Sequence, residues 1–181
     1  MNSKIFDYFG KSEGKRYLET TSPHELLHAI QFGYNGAMYR WFMEATATWI
    51  ESVAYDGGEV DDGDNVDDPD HIEETLAFNY YIHQLRYWFS HPDYSLDLFN
   101  GIHEYGDVIW ALYLTERFGQ DIIRQIYENT SQGSYREMGN FWDALSNNGT
   151  NLAEAFKTFT VWNYFTGERD DGKHYRQGER I

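Results

Sequence analysis

The chain has 181 residues, of which 30 are acidic, 14 are lysine or arginine and none is cysteine, so its formal net charge is −16. The absence of cysteine excludes a disulfide scaffold, a thiolate zinc finger, an iron–sulfur cluster and a cysteine nucleophile. A charge this negative argues against a nucleic-acid partner, which needs a basic surface, and against binding to an anionic membrane surface. Aromatic residues make up 18% of the chain, which supplies the apolar area for one folded domain.

The N-terminal part of the chain carries a weak strand pattern followed by a strong helix pattern. A short strand fits Ile5–Phe9. Ser22 has the residue type of a helix N-cap, Pro23 suits the first helical position, and Glu25 completes the spacing of a capping box. We therefore expect a helix from Pro23 to Phe32 or Tyr34, ended by the glycines that follow.

Apolar periodicity and turn signals predict further helices along the rest of the chain. These cover Tyr39–Val53, His71–Phe89, Tyr105–Phe118, Asp121–Tyr127, Arg136–Leu145 and Leu152–Phe165. The expected fold is mainly α, with at most a small N-terminal β element. We expect a single domain over residues 1–167 and a polar C-terminal tail or linker over residues 168–181.

Two features bear on membranes and export. No apolar stretch reaches the roughly 18 residues of a membrane-spanning helix, so no membrane insertion is expected. The first ten residues, MNSKIFDYFG, lack the apolar core of a signal peptide.

The segment HELLH at residues 24–28 is the sharpest chemical signal in the chain. Positions four apart stack on one face of a helix, so His24 and His28 can direct two imidazole nitrogens at one cation. Glu25 then lies beside the metal and can reach a metal-bound water, which is the role of a general base. The alternative is a chance match on an amphipathic helix.

A carboxylate on the second helix can complete the ligand set. Glu44 follows His28 by 16 positions, which allows a turn and a returning helix. Such an acid gives a His₂Glu site whose fourth position is left for water. Glu51 lies seven residues after Glu44 on the same helix face and is the rival third ligand. If Glu51 does not bind the metal, it is either a solvated acid or a residue that hydrogen-bonds a ligand.

These two segments resemble the gluzincins, zinc metallopeptidases with HExxH and a downstream glutamate. The second segment is similar to the ligand helix of their aminopeptidase branch, W-x-N-E-G-x-A-x-x-x-E, and the matching residues are Trp41, Glu44, Ala47 and Glu51. Met43 and Ala45 replace the Asn and Gly of that pattern, which departs from how aminopeptidases recognise a substrate N-terminus. The resemblance implies a zincin-like helical core and one Zn²⁺ per chain on His24, His28 and Glu44, with Glu25 as the general base.

A third segment, beginning at His103, resembles the Y-x-K-G-x-x-V helix of gluzincin aminopeptidases, although it is shorter and lacks the lysine. By this resemblance Tyr105 donates a hydrogen bond to the oxyanion of the tetrahedral intermediate, a role that suits a neutral phenol. The alternative is a tyrosine buried at a helix start. His103 is the other candidate donor, because thermolysin-like enzymes use histidine in this role. If His103 has no role in catalysis, we expect it to be a solvent-facing loop residue.

More broadly, the chain is similar to a group of secreted bacterial metalloproteases. The matching segments are His24–Gln31, Glu44–Glu51, Pro92–Leu96 and Phe165–Gly172. The resemblance implies an extracellular protein of which this chain is the catalytic core. Gluzincins hold their substrate along an edge strand in front of the HExxH helix, and only about twenty residues are available for it here.

The expected function is zinc-dependent hydrolysis of peptide bonds, with a peptide or protein as substrate. The alternative is a non-catalytic helical interaction module with a vestigial or structural zinc site. The acidic loop over residues 56–70 offers Asp61, Asp62, Asp64 and Asp67 as Ca²⁺ ligands, although a solvated loop fits it better.

Other histidines and aromatics carry less information. His71, His83, His91 and His174 lack paired spacing and are expected to be non-ligands. The aromatic block from Phe78 to Phe89 lines a substrate cleft or, more in keeping with its composition, packs in the core.

Overall fold

The computed structural model describes residues 5–54, 76–131 and 138–181. Within these ranges the chain forms helices and no strand, which confirms the mainly α fold. The α-helices in chain order are α1 (Ile5–Asn35), α2 (Arg40–Ala54), α3 (Leu76–Phe89), α4 (His103–Gly106), α5 (Val108–Phe118), α6 (Asp121–Ser131), α7 (Gly139–Asn147) and α8 (Leu152–Tyr164). Two short 3₁₀ turns, Gly167–Arg169 and Gly178–Arg180, follow α8.

The N-terminal strand and the helix start at Pro23 were wrong, because α1 is one helix that begins at Ile5 and contains Pro23. The Ser22 hydroxyl does not cap a helix; it donates to the carbonyl of Leu18, one turn back in the same helix. Residues 11–19, KSEGKRYLE, are mostly strong helix formers, so the helix extends through them. Pro23 lacks an amide hydrogen and therefore omits one helical hydrogen bond without ending α1.

From α2 onward the helices follow the predicted pattern, except that one predicted helix is divided in two. The predicted helical residues 71–75 and 136–137 lie outside the described residues. The predicted helix Tyr105–Phe118 is divided at Asp107 into the short α4 and the longer α5. Gly106 lies so close to α3 that an added Cβ would be 2.7 Å from the backbone nitrogen of Trp88. The division between α4 and α5 therefore lies where α4 packs closely against α3. The apolar periodicity of the sequence continues through this position and does not predict the division.

Helix α5 is the centre of the core. All residues from Val108 to Thr115 are buried, which is the pattern of a helix surrounded on every side. Helices α2, α3, α4, α6 and α8 pack against it. Aromatic rings fill the spaces between them: Trp110 and Tyr113 on α5 both contact Phe159 on α8.

The C-terminal segment 168–181, expected as a polar tail, lies against the same core. Tyr175 is fully buried and its ring meets that of Trp162 edge-on. Its hydroxyl donates to Asn163, and the backbone nitrogen of Arg176 donates to the Glu116 carboxylate. The burial of this aromatic ring removes apolar area from water and, together with these hydrogen bonds, holds the segment against the core.

The pairing of α1 with α2 positions the candidate site. A short turn over residues 36–39 returns the chain, so that α2 packs along the C-terminal half of α1. This arrangement brings the inner face of the HELLH segment against the helix that carries Glu44.

Candidate metal centre

His24 and His28 lie one turn apart on α1 and face the same point. Their Nε2 atoms are 3.1 Å apart, and their rings meet edge to face with centroids separated by 4.7 Å. The i and i+4 spacing in a regular helix accounts for this arrangement. Each side chain is mostly buried, with 13% and 17% of its surface exposed.

Glu44 reaches the same point from α2. Its Oε2 atom is 3.4 Å from Nε2 of His24 and 3.5 Å from Nε2 of His28. We call these three atoms the donor triangle. Within the described ranges, no other set of three or more histidine, aspartate or glutamate side chains has its ligand atoms close enough to hold one ion.

The donor triangle has the dimensions of a metal site. A tetrahedral ion with ligands at about 2.0–2.1 Å has those ligand atoms roughly 3.3–3.4 Å apart, and the three edges here are 3.1, 3.4 and 3.5 Å. Two imidazoles and one carboxylate are also a donor set that divalent transition metals accept. The group His24, His28 and Glu44 could therefore hold a metal ion.

The electrostatics of the cluster favour a positive charge among its carboxylates. Burial opposes the charged form of His24, but Glu44 and Glu51 outweigh it and raise the pKa of His24 to about 9. Burial likewise opposes the charged form of Glu44, yet the two histidines lower the pKa of that carboxyl to about 2. Without a metal, the proton on His24 supplies the positive charge between the carboxylates. A bound metal cation would supply that charge in its place.

Both histidines direct their second nitrogen at an oxygen acceptor. Nδ1 of His24 is 2.7 Å from Oε1 of Glu51, and Nδ1 of His28 is 2.7 Å from Oε1 of Gln31. An acceptor at Nδ1 keeps the hydrogen there and leaves Nε2 free to bind a metal. Glu51, the rival ligand in the sequence, is thus placed on the outer side of His24, away from the donor triangle.

Gln31 is the residue of this centre that the sequence analysis missed. It is buried and follows His28 by three positions, so it shares the inner face of α1. The sequence pattern that could have identified Gln31 is its position three residues after His28, which places its polar side chain on the same helix face as a predicted ligand.

Glu25 and Tyr105 line a cavity that reaches the metal centre at His24; His28 and Glu44 are not among its lining residues. The cavity has a volume of about 380 Å³ and is lined by His24, Glu51, Glu25 and Tyr105, among others. Glu25 is exposed and Tyr105 is half-buried. Burial, together with the negative charges of glutamates including Glu44, raises the pKa of Tyr105, so its phenol stays protonated and can donate a hydrogen bond.

His103 lies elsewhere, and its expected place in a solvent-facing loop was wrong. Its ring is buried, stacks on Trp88 and meets Tyr94 edge-on. Nε2 of His103 lies 3.3 Å from an oxygen of the buried Asp107 carboxyl group. His103 is not among the residues that line the cavity, which leaves Tyr105 as the candidate donor there.

The remaining predictions concern other regions. His83 is exposed, His91 stacks on Tyr94, and His174 stacks on Phe165 and contacts Asp171; none of these three belongs to the group that could hold a metal ion. In the aromatic block, Trp88 packs on Phe159 and Tyr87 lines the cavity. His71 and the proposed Ca²⁺ ligands of loop 56–70 lie outside the described residues.

Comparison of the chain with protein-family models, with curated proteins and with solved structures finds no match. None of the described helices combines the length and the apolar character that crossing a bilayer requires.

Proposed function

We propose that this chain is a zinc-dependent peptidase of the HExxH type. The observation that carries the proposal is the donor triangle, whose two histidines each have Nδ1 occupied by an acceptor and Nε2 turned toward Glu44. Three protein ligands and an open fourth position are typical of catalytic zinc, whereas structural zinc sites have four protein ligands.

Zinc fits this set of ligands better than calcium or magnesium does. Calcium and magnesium prefer oxygen ligands in shells of six or more, and only one of the three donors here is oxygen. Zinc binds imidazole nitrogen and carboxylate oxygen at similar distances in four-coordinate sites. When bound, zinc lowers the pKa of a coordinated water toward neutrality and polarises a carbonyl oxygen.

Glu25 is the proposed general base. It follows His24 directly, so its carboxylate leaves α1 beside the ligand face, and it lines the same cavity. In the proposed reaction Glu25 takes a proton from the attacking water and transfers it to the amine that leaves the scissile peptide.

Tyr105 is the proposed oxyanion donor. Tyr105 belongs to α4, and its side chain lines the same cavity as His24 and Glu25 of the HELLH segment. A hydrogen bond from this hydroxyl to the oxygen of the tetrahedral intermediate stabilises charge that develops only in the transition state.

One observation favours the alternative of a non-catalytic helical module. Within the described ranges no strand lies beside the site, and the residues in front of HELLH belong to α1. Gluzincins align a peptide along an edge strand, and the described part of the chain offers none. There, the side chains of the cavity, which include Gln84 and Tyr87, are the groups that would hold a substrate.

Two measurements together test the proposal. The protein, purified without added zinc, is analysed for metal by element, and its cleavage of an unstructured protein is followed before and after treatment with a chelator. The proposal expects about one zinc per chain, cleavage that stops on chelation, and recovery on addition of zinc. One bound zinc with no cleavage of unstructured proteins or peptides would support the interaction module instead.

A further inference from the structure

The two histidines of the donor triangle are oriented by different partners, and we propose that Gln31 is a positioning residue that fixes the metal-binding tautomer of His28. This inference rests on the metal site of the proposed function, but it does not require peptidase activity. It follows from a chain of buried hydrogen bonds that links His28 to α2 and α6.

The direction of the Gln31 amide is set by α2. Its Nε2 atom is 3.1 Å from the carbonyl oxygen of Met43 and 3.0 Å from Oγ1 of Thr46. A carbonyl oxygen can only accept, so the NH₂ group of Gln31 must face α2. The amide oxygen then faces His28, and Nδ1 of His28 must carry the hydrogen that this oxygen accepts.

The hydroxyl of Thr46 completes the chain in the same direction. It donates to the carbonyl of Phe42 at 2.7 Å, so its oxygen accepts from Gln31 and also from the Tyr127 hydroxyl at 2.9 Å. The Thr46 hydroxyl also lies 3.3 Å from the carbonyl of Met43, so the chain ends on the backbone carbonyls of Phe42 and Met43 in α2. Hydrogen bonds that all run in one direction polarise one another.

Burial makes this arrangement hard to replace. Gln31, Thr46 and Tyr127 are 1%, 0% and 3% exposed, so water cannot readily take over a lost hydrogen bond. Helix α2 acts on the metal centre in three ways: Glu44 supplies a ligand, the neighbouring carbonyl of Met43 orients His28 through Gln31, and Glu51 orients His24. His24 is held differently, by the carboxylate of Glu51.

The experiment compares zinc affinity in variants, measured by competition with a chelator. Gln31→Met keeps the side-chain length and removes the amide, and we expect it to weaken zinc binding about 10- to 100-fold. Thr46→Val should weaken it in the same direction by a few-fold, while Thr46→Ser, which keeps the hydroxyl, should match the wild type. Gln125→Met on α6 is the matched control, because Gln125 contacts Asp121 and Asn148 and not the metal centre.

A nuclear magnetic resonance measurement separates positioning from packing. In the zinc-loaded wild type, the Nδ1 hydrogen of His28 should be visible and protected from exchange with water. In Gln31→Met it should exchange faster, while the Nδ1 hydrogen of His24 keeps its protection. A role in packing alone would lower the melting temperature without this selective change.

Several results would overturn the inference. These are wild-type zinc affinity in Gln31→Met, unchanged protection of His28, or zinc bound to His28 through Nδ1. If Gln31→Met does not fold, the comparison of Thr46→Val with Thr46→Ser carries the test. A wild type that binds zinc but cleaves no peptide removes the proposed function and leaves this inference standing; a wild type that binds no zinc overturns both.

Discussion

Oε1 of Glu51 lies 2.7 Å from Nδ1 of His24, on the side of the ring opposite the Nε2 atom that faces the donor triangle. Glu44 and Glu51 are seven residues apart on one face of α2, but their exposures differ: the Glu44 side chain is 23% exposed and that of Glu51 is 2% exposed. The partly exposed Glu44 lies beside Nε2 of His24, the nitrogen that faces the donor triangle. The buried Glu51 lies beside Nδ1 and orients the imidazole ring.

This relationship predicts unequal effects for the two acids. Glu44→Gln removes a charged ligand atom and should abolish tight zinc binding. Glu51→Gln keeps an acceptor near Nδ1 of His24 and should weaken zinc binding by about tenfold. Zinc content after dialysis and affinity by chelator competition measure both variants. Equal losses would show that Glu51 belongs to the ligand set or that neither acid does.

Glu25→Gln should separate metal binding from catalysis. The amide cannot accept the proton of the attacking water, so we expect the rate of peptide cleavage to fall by about 10²- to 10⁴-fold while zinc content stays at the wild-type level. Glu168→Gln, an exposed change of the same chemistry on a 3₁₀ turn, is the control. Turnover at the wild-type rate in Glu25→Gln would remove this residue from the mechanism.

Tyr105→Phe tests the oxyanion role. Removing the hydroxyl should lower kcat by about 10²- to 10³-fold, because the hydrogen bond is needed only in the transition state. Zinc affinity and the melting temperature should change little, since Tyr105 is only half-buried and is not a ligand. Tyr164→Phe, at a tyrosine that is 61% exposed, is the control. An unchanged kcat would assign Tyr105 to packing.

Gly106→Ala should both destabilise the fold and disturb Tyr105. The added Cβ would be 2.7 Å from the backbone nitrogen of Trp88, so α4 must shift away from α3, at a cost of about 1–3 kcal/mol. Gly33→Ala is the matched control: nothing lies within 4 Å of its Cβ position in α1, and the change should be neutral or stabilise by up to about 1 kcal/mol. Denaturant unfolding of both variants measures the difference, and equal stabilities would contradict the close approach.

Asp107 should make stability depend on pH. Its carboxyl is completely buried, and burial, with the negative charges of Glu104 and Asp97 acting in the same direction, raises its pKa to about 9. The folded protein then keeps a proton that the unfolded chain loses above about pH 4. The stabilising contribution of this proton is complete below the unfolded pKa and is lost as the pH rises toward the folded pKa, by roughly 1.4 kcal/mol per pH unit.

Asp107→Asn removes this titration with little change in shape. We expect the variant to unfold at higher denaturant concentration than the wild type near pH 8, and to show a flatter pH dependence between about pH 7 and about pH 9. Burial lowers the pKa of His103, so this residue makes the protein more stable as the pH rises toward 6.5, the ordinary histidine pKa. This effect is opposite to that of Asp107, and the comparison is therefore made above pH 6.5. Parallel pH profiles for the two proteins would show that Asp107 is ionised in the folded state.

Local patterns in the sequence were sufficient for the features that depend on spacing along one helix. The bounds of α2 and α8 and the shared face of His24 and His28 follow from a period of 3.6 residues and from turn residues. The choice of Glu44 over Glu51 came from a resemblance, and the distances are consistent with it.

Other features arose only when separate helices met. Gln31 acquires its partners from α2, and His103 becomes buried against α3. Propensity in one helix carries no information about which backbone carbonyl or aromatic ring another helix will place beside a side chain. The amino-acid sequence by itself therefore determined which side chains share a helical face, and the packing of helices decided which nitrogen of each histidine is held and which is left for a metal.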